Sequence, residues 1–144
     1  MTEKISPRLA EIVEALPLRP GMRVLEIGCG PGVAARAVLQ RIGKGHVLAI
    51  DRSVKAISQA VAGSAVELAS GRLEFRCVAV ENFVLSKGER PYDLAFAVRV
   101  GALDGRHPKV GRIALDHLRQ ALAKDGRLFI DCGNPLKEVA LGVA

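Results

Sequence analysis

Three glycines stand within five residues in the run Val24-Leu25-Glu26-Ile27-Gly28-Cys29-Gly30-Pro31-Gly32, and this spacing constrains the fold more than any other feature of the chain. The residues leading into it, Arg23 to Gly28, are apolar and β-branched and stop at the glycines, as a buried parallel strand entering a tight turn would. Val33 to Ile42 follows with Ala, Val and Leu at helical spacing and is closed by Gly43 and Gly45. A glycine turn between strand and helix lets the backbone approach a ligand where any Cβ would obstruct it. The next apolar run, His46 to Asp51, ends in an acid. In a parallel sheet the Asp51 carboxylate then lies beside the glycine turn, where it can accept hydrogen bonds from both hydroxyls of a ribose. The bland alternative is a tight turn next to a solvated acid, and the two features together favour the nucleoside.

The rest of the chain continues the alternation. Ile5, Leu9, Ile12, Val13 and Leu16 recur at helical spacing behind Ser6 and Pro7, which predicts an amphipathic helix from about Ser6 to Leu16, ended by Pro17 and Pro20. Ser53 is placed to cap a helix bearing Val54, Ile57 and Val61 that fades near Gly63 or Ala65. Further strands are expected from about Arg72 to Val80, from Asp93 to Val98, and from Arg127 to Asp131 after a turn at Asp125 and Gly126. Pro108 opens a helix carrying Val110, Ile113, Ala114, Leu118, Ala121 and Leu122. Such an order predicts one α/β domain over residues 1–144, with a parallel sheet covered on both faces. No internal repeat, low-complexity tract or linker interrupts it.

Spacing also separates candidate nucleosides. A dinucleotide turn uses G-x-G-x-x-G, whose last glycine allows close helix packing beside a pyrophosphate. Val33 occupies that position here, Pro31 stiffens the loop and no P-loop lysine follows, so the turn suits a ligand without phosphates. RVLEIGCGPG followed by Asp51 resembles the first two motifs of the class I S-adenosylmethionine-dependent methyltransferases, and the likeness runs from about Leu16 to Asp131. The resemblance implies S-adenosylmethionine as cofactor. Gly28, Cys29, Gly30 and Gly32 would then border its methionine and ribose, Glu26 would support the methionine amine, Asp51 would hold the ribose, and Arg52 would border the adenine. In the third motif the chain departs from the family, since Ala79 and Val80 stand where an acid and a small residue are common. Val80 could still meet the adenine through its backbone N–H, and Glu81 is either an adenine neighbour or a simple loop acid.

The resemblance further implies a Rossmann-like three-layer sandwich with a mainly parallel five-stranded sheet in the order 3-2-1-4-5. Only Cys132 to Ala144 follow the fifth strand, which leads to the expectation that the usual antiparallel C-terminal hairpin is missing. An apolar edge strand with unpaired backbone groups would then need a cover, either the tail from Pro135 to Ala144 or a second subunit in a homodimer.

Transfer of a methyl group from a sulfonium is a direct displacement, so proximity and orientation supply much of the rate without a protein nucleophile. The loop after the fourth strand is where an open α/β sheet presents substrate-binding groups. It holds Arg99, which could bind a carboxylate or phosphate, and Asp104 and His107, either of which could take a proton. Each has a plainer reading: His107 as a helix cap, Asp104 as a turn residue beside Gly105. The expected function is therefore methyl transfer to an unidentified acceptor, with a cofactor-binding module or regulatory subunit as the alternative.

Composition narrows the partners. The net charge of +6 is dispersed along the chain with no polybasic run, which fits solubility first and leaves an anionic substrate or RNA open. One Tyr, four Phe and no Trp leave little for stacking on bases, so a small-molecule substrate is the first expectation. Cys29, Cys77 and Cys132 are odd in number and lack CxxC spacing, which argues against a disulfide framework or a metal site. Neither a signal-peptide core nor a membrane span is legible, and a cytoplasmic protein is expected.

Overall fold

A computed structural model of the chain describes residues 4–141. The elements run α1 (Pro7–Ala15), β1 (Arg23–Ile27), α2 (Val33–Leu39), β2 (His46–Asp51), α3 (Val54–Ala62), α4 (Ala65–Ala69), β3 (Leu73–Cys77), a 3₁₀ turn (Val80–Asn82), β4 (Tyr92–Ala97), α5 (Pro108–Ala121), β5 (Leu122–Ile130) and β6 (Lys137–Val139). They form one sheet in the order β3-β2-β1-β4-β5-β6. Pairings among the first five strands are parallel, and β6 runs antiparallel to β5.

The alternation of side chains along each strand builds two cores, one on each face of the sheet. On one face Val24, Val47, Ala49, Leu94 and Phe96 pack against Val13, Leu16, Ala35, Val38 and Leu39 of the N-terminal helices and their flanks. On the other, Leu25, Ile27, Leu48, Ile50, Ala95 and Leu128 pack against Ala114, Leu118 and Ala121 of α5. The strands are apolar on both faces because helices cover both. Helix starts follow the expected chemistry: Ser6 Oγ accepts from Leu9 N–H at 3.2 Å, and Ser53 Oγ accepts from Ala56 N–H at 3.1 Å.

Two expectations change. The sheet has six strands, and the antiparallel C-terminal hairpin expected to be missing is present in a short form. Six residues, Asp131 to Leu136, reverse the chain, and three are then enough to pair Leu128 with Val139, Phe129 with Glu138 and Ile130 with Lys137. Gly133 makes the reversal tight, since a Cβ there would lie 2.6 Å from the Leu136 carbonyl oxygen. The physical pressure is the one that the apolar edge exerts: Leu128, Phe129 and Ile130 are buried and their backbone groups need partners. Residues 137–139 of the tail expected to cover this edge do so, while Gly142 to Ala144 lie outside the described residues. Asp125 and Gly126, expected as the turn into the fifth strand, instead sit in a bulge inside it. The pairing of Tyr92 with Leu122 is followed by that of Leu94 with Arg127, so Ala123 to Gly126 stand opposite Asp93 alone.

Candidate functional site

The site lies at the carboxyl ends of β1, β2 and β4, where strand order reverses direction from β1 and open α/β sheets bind ligands. The glycine turn is pinned there by backbone. Gly28 N–H and Cys29 N–H both donate to the Ile50 carbonyl, at 2.8 and 3.0 Å. Asp51 completes the link, accepting from Gly30 N–H on Oδ2 and from Ser53 N–H on Oδ1, each at 2.9 Å. A carboxylate has about four lone-pair sites, so Asp51 keeps acceptor capacity on both oxygens for a further donor. Gly28 has φ +73, and a Cβ on it would stand 2.7 Å from Val100 Cγ2. Glycine is thus required there on conformation and on space.

Two cavities open around this turn. The larger, about 540 Å³, is lined by Gly28, Asp51, Arg52, Val80, Glu81, Arg99 and His107, among others. The smaller, about 310 Å³, takes in Glu26, Gly28, Cys29, Gly30 and Arg99 together with Lys4 and Arg8 from the N-terminal segment. Gly28 and Arg99 belong to both. Of the residues expected from sequence, all but Gly32 and Asp104 therefore line one cavity or both. Gly32 instead caps α2 with φ +87. Asp104 is held by Arg106, whose Nε lies 2.9 and 2.7 Å from its two oxygens. That guanidinium keeps the Asp104 carboxyl below its ordinary range, which suits a structural ion pair and not a proton acceptor. His107 precedes α5 but makes no side-chain cap hydrogen bond, so its ring is not committed to the helix.

Glu26 is the unusual group. It is 3% exposed, and its Oε1 has no hydrogen-bond partner among the described residues. Burial, reinforced by the nearby Asp51 charge, pushes its carboxyl up to about 8, against weaker downward pulls from the Ala35 backbone and Arg36. A buried oxygen without a partner costs stability unless something else supplies a donor. Cys29 is buried too, and burial followed by the Glu26 and Asp51 charges pushes its thiol up, which leaves it no thiolate character for nucleophilic work.

Arg99 follows β4 with φ 58, the one left-handed non-glycine among the described residues. That conformation costs about 1–2 kcal/mol for an L-residue. Its N–H donates to Asp131 Oδ1 at 3.2 Å, just past the end of β5. Arg8 of α1 reaches the same residue, donating to the Asp131 carbonyl at 3.3 Å. Asp131 so ties the N-terminal helix to the loop that carries Arg99. A second tie comes from Arg36, whose Nη1 donates to the Pro31 carbonyl at 3.0 Å and to the buried Ser64 Oγ at 2.8 Å. Lys4, Arg8, Arg36 and Asp131 were not singled out from sequence. No local motif marks them: Arg8 meets Asp131 across 123 residues, and Arg36 reaches Ser64 across 28.

Among the described residues no three His, Cys, Asp or Glu converge as metal ligands would, and no helix is long and apolar enough to cross a membrane. Residues 24–126 match the methyltransferase-domain family. The chain belongs to that family. Over 127 residues it is 35% identical to a protein-L-isoaspartate O-methyltransferase of Methylorubrum populi, a match spanning 88% of this chain and 52% of that protein. A 44-residue stretch is 59% identical to the protein of that name in Methylorubrum extorquens, covering 31% of this chain and 18% of that one. The chain spans about half the length of the first of these relatives. Among solved structures, an S-adenosylmethionine-dependent methyltransferase from Thiobacillus denitrificans in complex with S-adenosyl-L-homocysteine aligns with a TM-score of 0.67 at 23% identity, over 90% of this chain and 50% of that one. The cyclase SpnF aligns equally well, with a TM-score of 0.67 at 24% identity over 85% of this chain and 43% of its own. Likeness at that identity establishes the fold, and the cyclase illustrates that the fold alone does not name a reaction.

Proposed function

We propose that this chain binds S-adenosylmethionine across the two cavities and transfers its methyl group to an acceptor. The observation that carries the reading is the unpartnered, buried Oε1 of Glu26 in one cavity, set against Asp51 with spare acceptor capacity in the other, on either side of one glycine turn. A ligand with an ammonium at one end and a ribose at the other fits that donor demand. Glu26 would receive the amino-acid ammonium, whose charge favours its ionised form. Asp51 would hold the ribose hydroxyls, and Arg52, Val80 and Glu81 would surround the adenine. Gly28, Cys29 and Gly30 would present backbone to the ligand between them. When bound, the cofactor supplies an electrophilic methyl group on a sulfonium, so the protein's task is to hold both partners in line and keep water out.

The Methylorubrum relatives are named for O-methylation of L-isoaspartate in proteins, which makes an isoaspartyl peptide a first acceptor to try. Three free cysteines fit a reducing, cytoplasmic setting. Titration calorimetry with S-adenosylhomocysteine, 5′-methylthioadenosine and NAD tests the cofactor reading. Binding of the first, weaker binding of the second for want of an amino-acid part, and none of NAD is expected. Preference for NAD would overturn it. Tight cofactor binding with no turnover over a broad acceptor panel would mark the chain as a binding module instead.

A further inference from the structure

The two cavities share Gly28 and Arg99, the latter exposed. A ligand with its nucleoside in the larger cavity and its amino-acid part in the smaller has its linking atom at that junction. In the proposed cofactor the linking atom is the positively charged sulfur. A guanidinium beside a sulfonium is repulsive unless an anion lies between them. Arg99 forms no ion pair among the described residues, in contrast to Arg106 and Arg8, which are engaged with Asp104 and Asp131. Its left-handed backbone, with the N–H bonded to Asp131, carries a conformational cost at the point where the side chain lines both cavities.

We infer that Arg99 binds the acceptor, and that the acceptor is a carboxylate. The inference rests on the proposed cofactor reading. Arg52 on the same cavity wall is likewise without an ion pair among the described residues but borders the nucleoside in the proposed reading, whereas the Arg99 guanidinium, common to both cavities, can hold a carboxylate by a two-pronged contact. The acids on the wall of the larger cavity, Asp51 and Glu81, disfavour a more highly charged anion. A carboxylate also needs no general base, so neither Asp104, locked in its ion pair, nor the uncommitted His107 has to take a proton. In the step, one carboxylate oxygen uses a lone pair to form the new bond to the methyl carbon, while the carbon–sulfur bond breaks and its electron pair stays on sulfur. The products are a methyl ester and a neutral thioether, and no proton moves. Lys4, which lines the smaller cavity, is left for the cofactor's own carboxylate.

The test uses methyl-labelled S-adenosylmethionine with four acceptor pools: free carboxylic acids, acidic peptides including an isoaspartyl peptide, amines, and phenols. Methyl esters release labelled methanol in alkali, whereas N-methyl and aryl ether products do not. Alkali-labile label in one of the carboxyl pools is expected, and which of the two carries it identifies the source of the acid. Arg99→Leu, which keeps the backbone demand and removes the charge, should lower that label by about tenfold or more, with partial recovery in Arg99→Lys. Calorimetry of the protein without cofactor against the best acid should show the same loss in Arg99→Leu, while affinity for S-adenosylhomocysteine stays unchanged. Label appearing only in the amine or phenol pool, or in no pool while S-adenosylhomocysteine still binds, overturns the carboxylate acceptor. An equal loss of S-adenosylhomocysteine affinity in Arg99→Leu assigns the residue to the cofactor and also overturns it. Failure of the wild-type protein to bind S-adenosylhomocysteine at all rejects the cofactor reading itself.

Discussion

Replacing Glu26 by glutamine should make the ligand-free protein more stable at neutral and alkaline pH while weakening its hold on the cofactor. In the folded chain burial raises the Glu26 carboxyl from its ordinary value of 4.5 to about 8. The folded state then binds a proton more tightly than the unfolded state does, so the group's contribution is fully favourable below 4.5 and is lost as pH rises towards 8. At about 1.4 kcal/mol per pH unit, that interval sets a ceiling of about 5 kcal/mol, of which about 3 has been lost by pH 7. Relaxation and water entry reduce the realised amount. Glutamine has nearly the same shape and no titration, so Glu26→Gln should remove the slope, whatever constant offset its amide introduces. Urea unfolding at intervals from pH 4.5 to 8.5 measures this, and the wild-type minus variant difference cancels other titrating groups such as His46, whose own shift is downward through burial. A difference that moves by several kcal/mol in favour of the variant across the range is expected. With S-adenosylhomocysteine present the order should reverse, because the ligand's ammonium needs the carboxylate. Parallel pH profiles for the two proteins would refute the claim that a buried acid waits for a cation.

Three further perturbations probe the same frame. Asp51→Asn leaves one acceptor oxygen for two backbone N–H donors, so it should cost about 1–2 kcal/mol of stability and at least about tenfold in S-adenosylhomocysteine affinity, read by thermal unfolding and calorimetry. Gly28→Ala meets Val100 at 2.7 Å and a left-handed φ, and should lose about 1–3 kcal/mol; adding Val100→Ala should return the steric part and not the conformational part. Arg36→Ala strips the partner from the buried Ser64 hydroxyl and from the Pro31 carbonyl, which should cost about 1–3 kcal/mol and loosen cofactor binding without changing what the acceptor pocket selects.

What could be read beforehand divides along the length scale of the interactions. The glycine turn, Asp51 and the alternation of strands and helices are local patterns, each completed within a few residues, and the structure places them where those patterns direct. The short hairpin escaped because three residues, Lys137–Val139, carry no period that could be recognised; its formation depends on the unpaired edge of β5 and not on its own sequence. The bulge at Ala123–Gly126 escaped for a related reason. Asp125 and Gly126 look alike in a turn and in a bulge, and pairing with β4 on both sides decides between them.

The site shows the same division more sharply. Glu26 and Arg99 were both legible as polar residues near the carboxyl ends of strands, but not the properties that matter for chemistry. The raised carboxyl of Glu26 comes from enclosure among α2 and the neighbouring strands, and the left-handed backbone of Arg99 comes with a hydrogen bond to Asp131, 32 residues away in sequence. Arg8 reaches the same Asp131 from 123 residues away, so the N-terminal helix, the loop after β4 and the end of β5 are joined through one residue that no motif marks. A change at Asp131 would therefore disturb the rim at three points while leaving the glycine turn and Asp51 in place. That separation would let such a domain keep its glycine turn while the rim changes: the turn depends on neighbouring residues of two strands, and the rim depends on contacts assembled from distant parts of the chain.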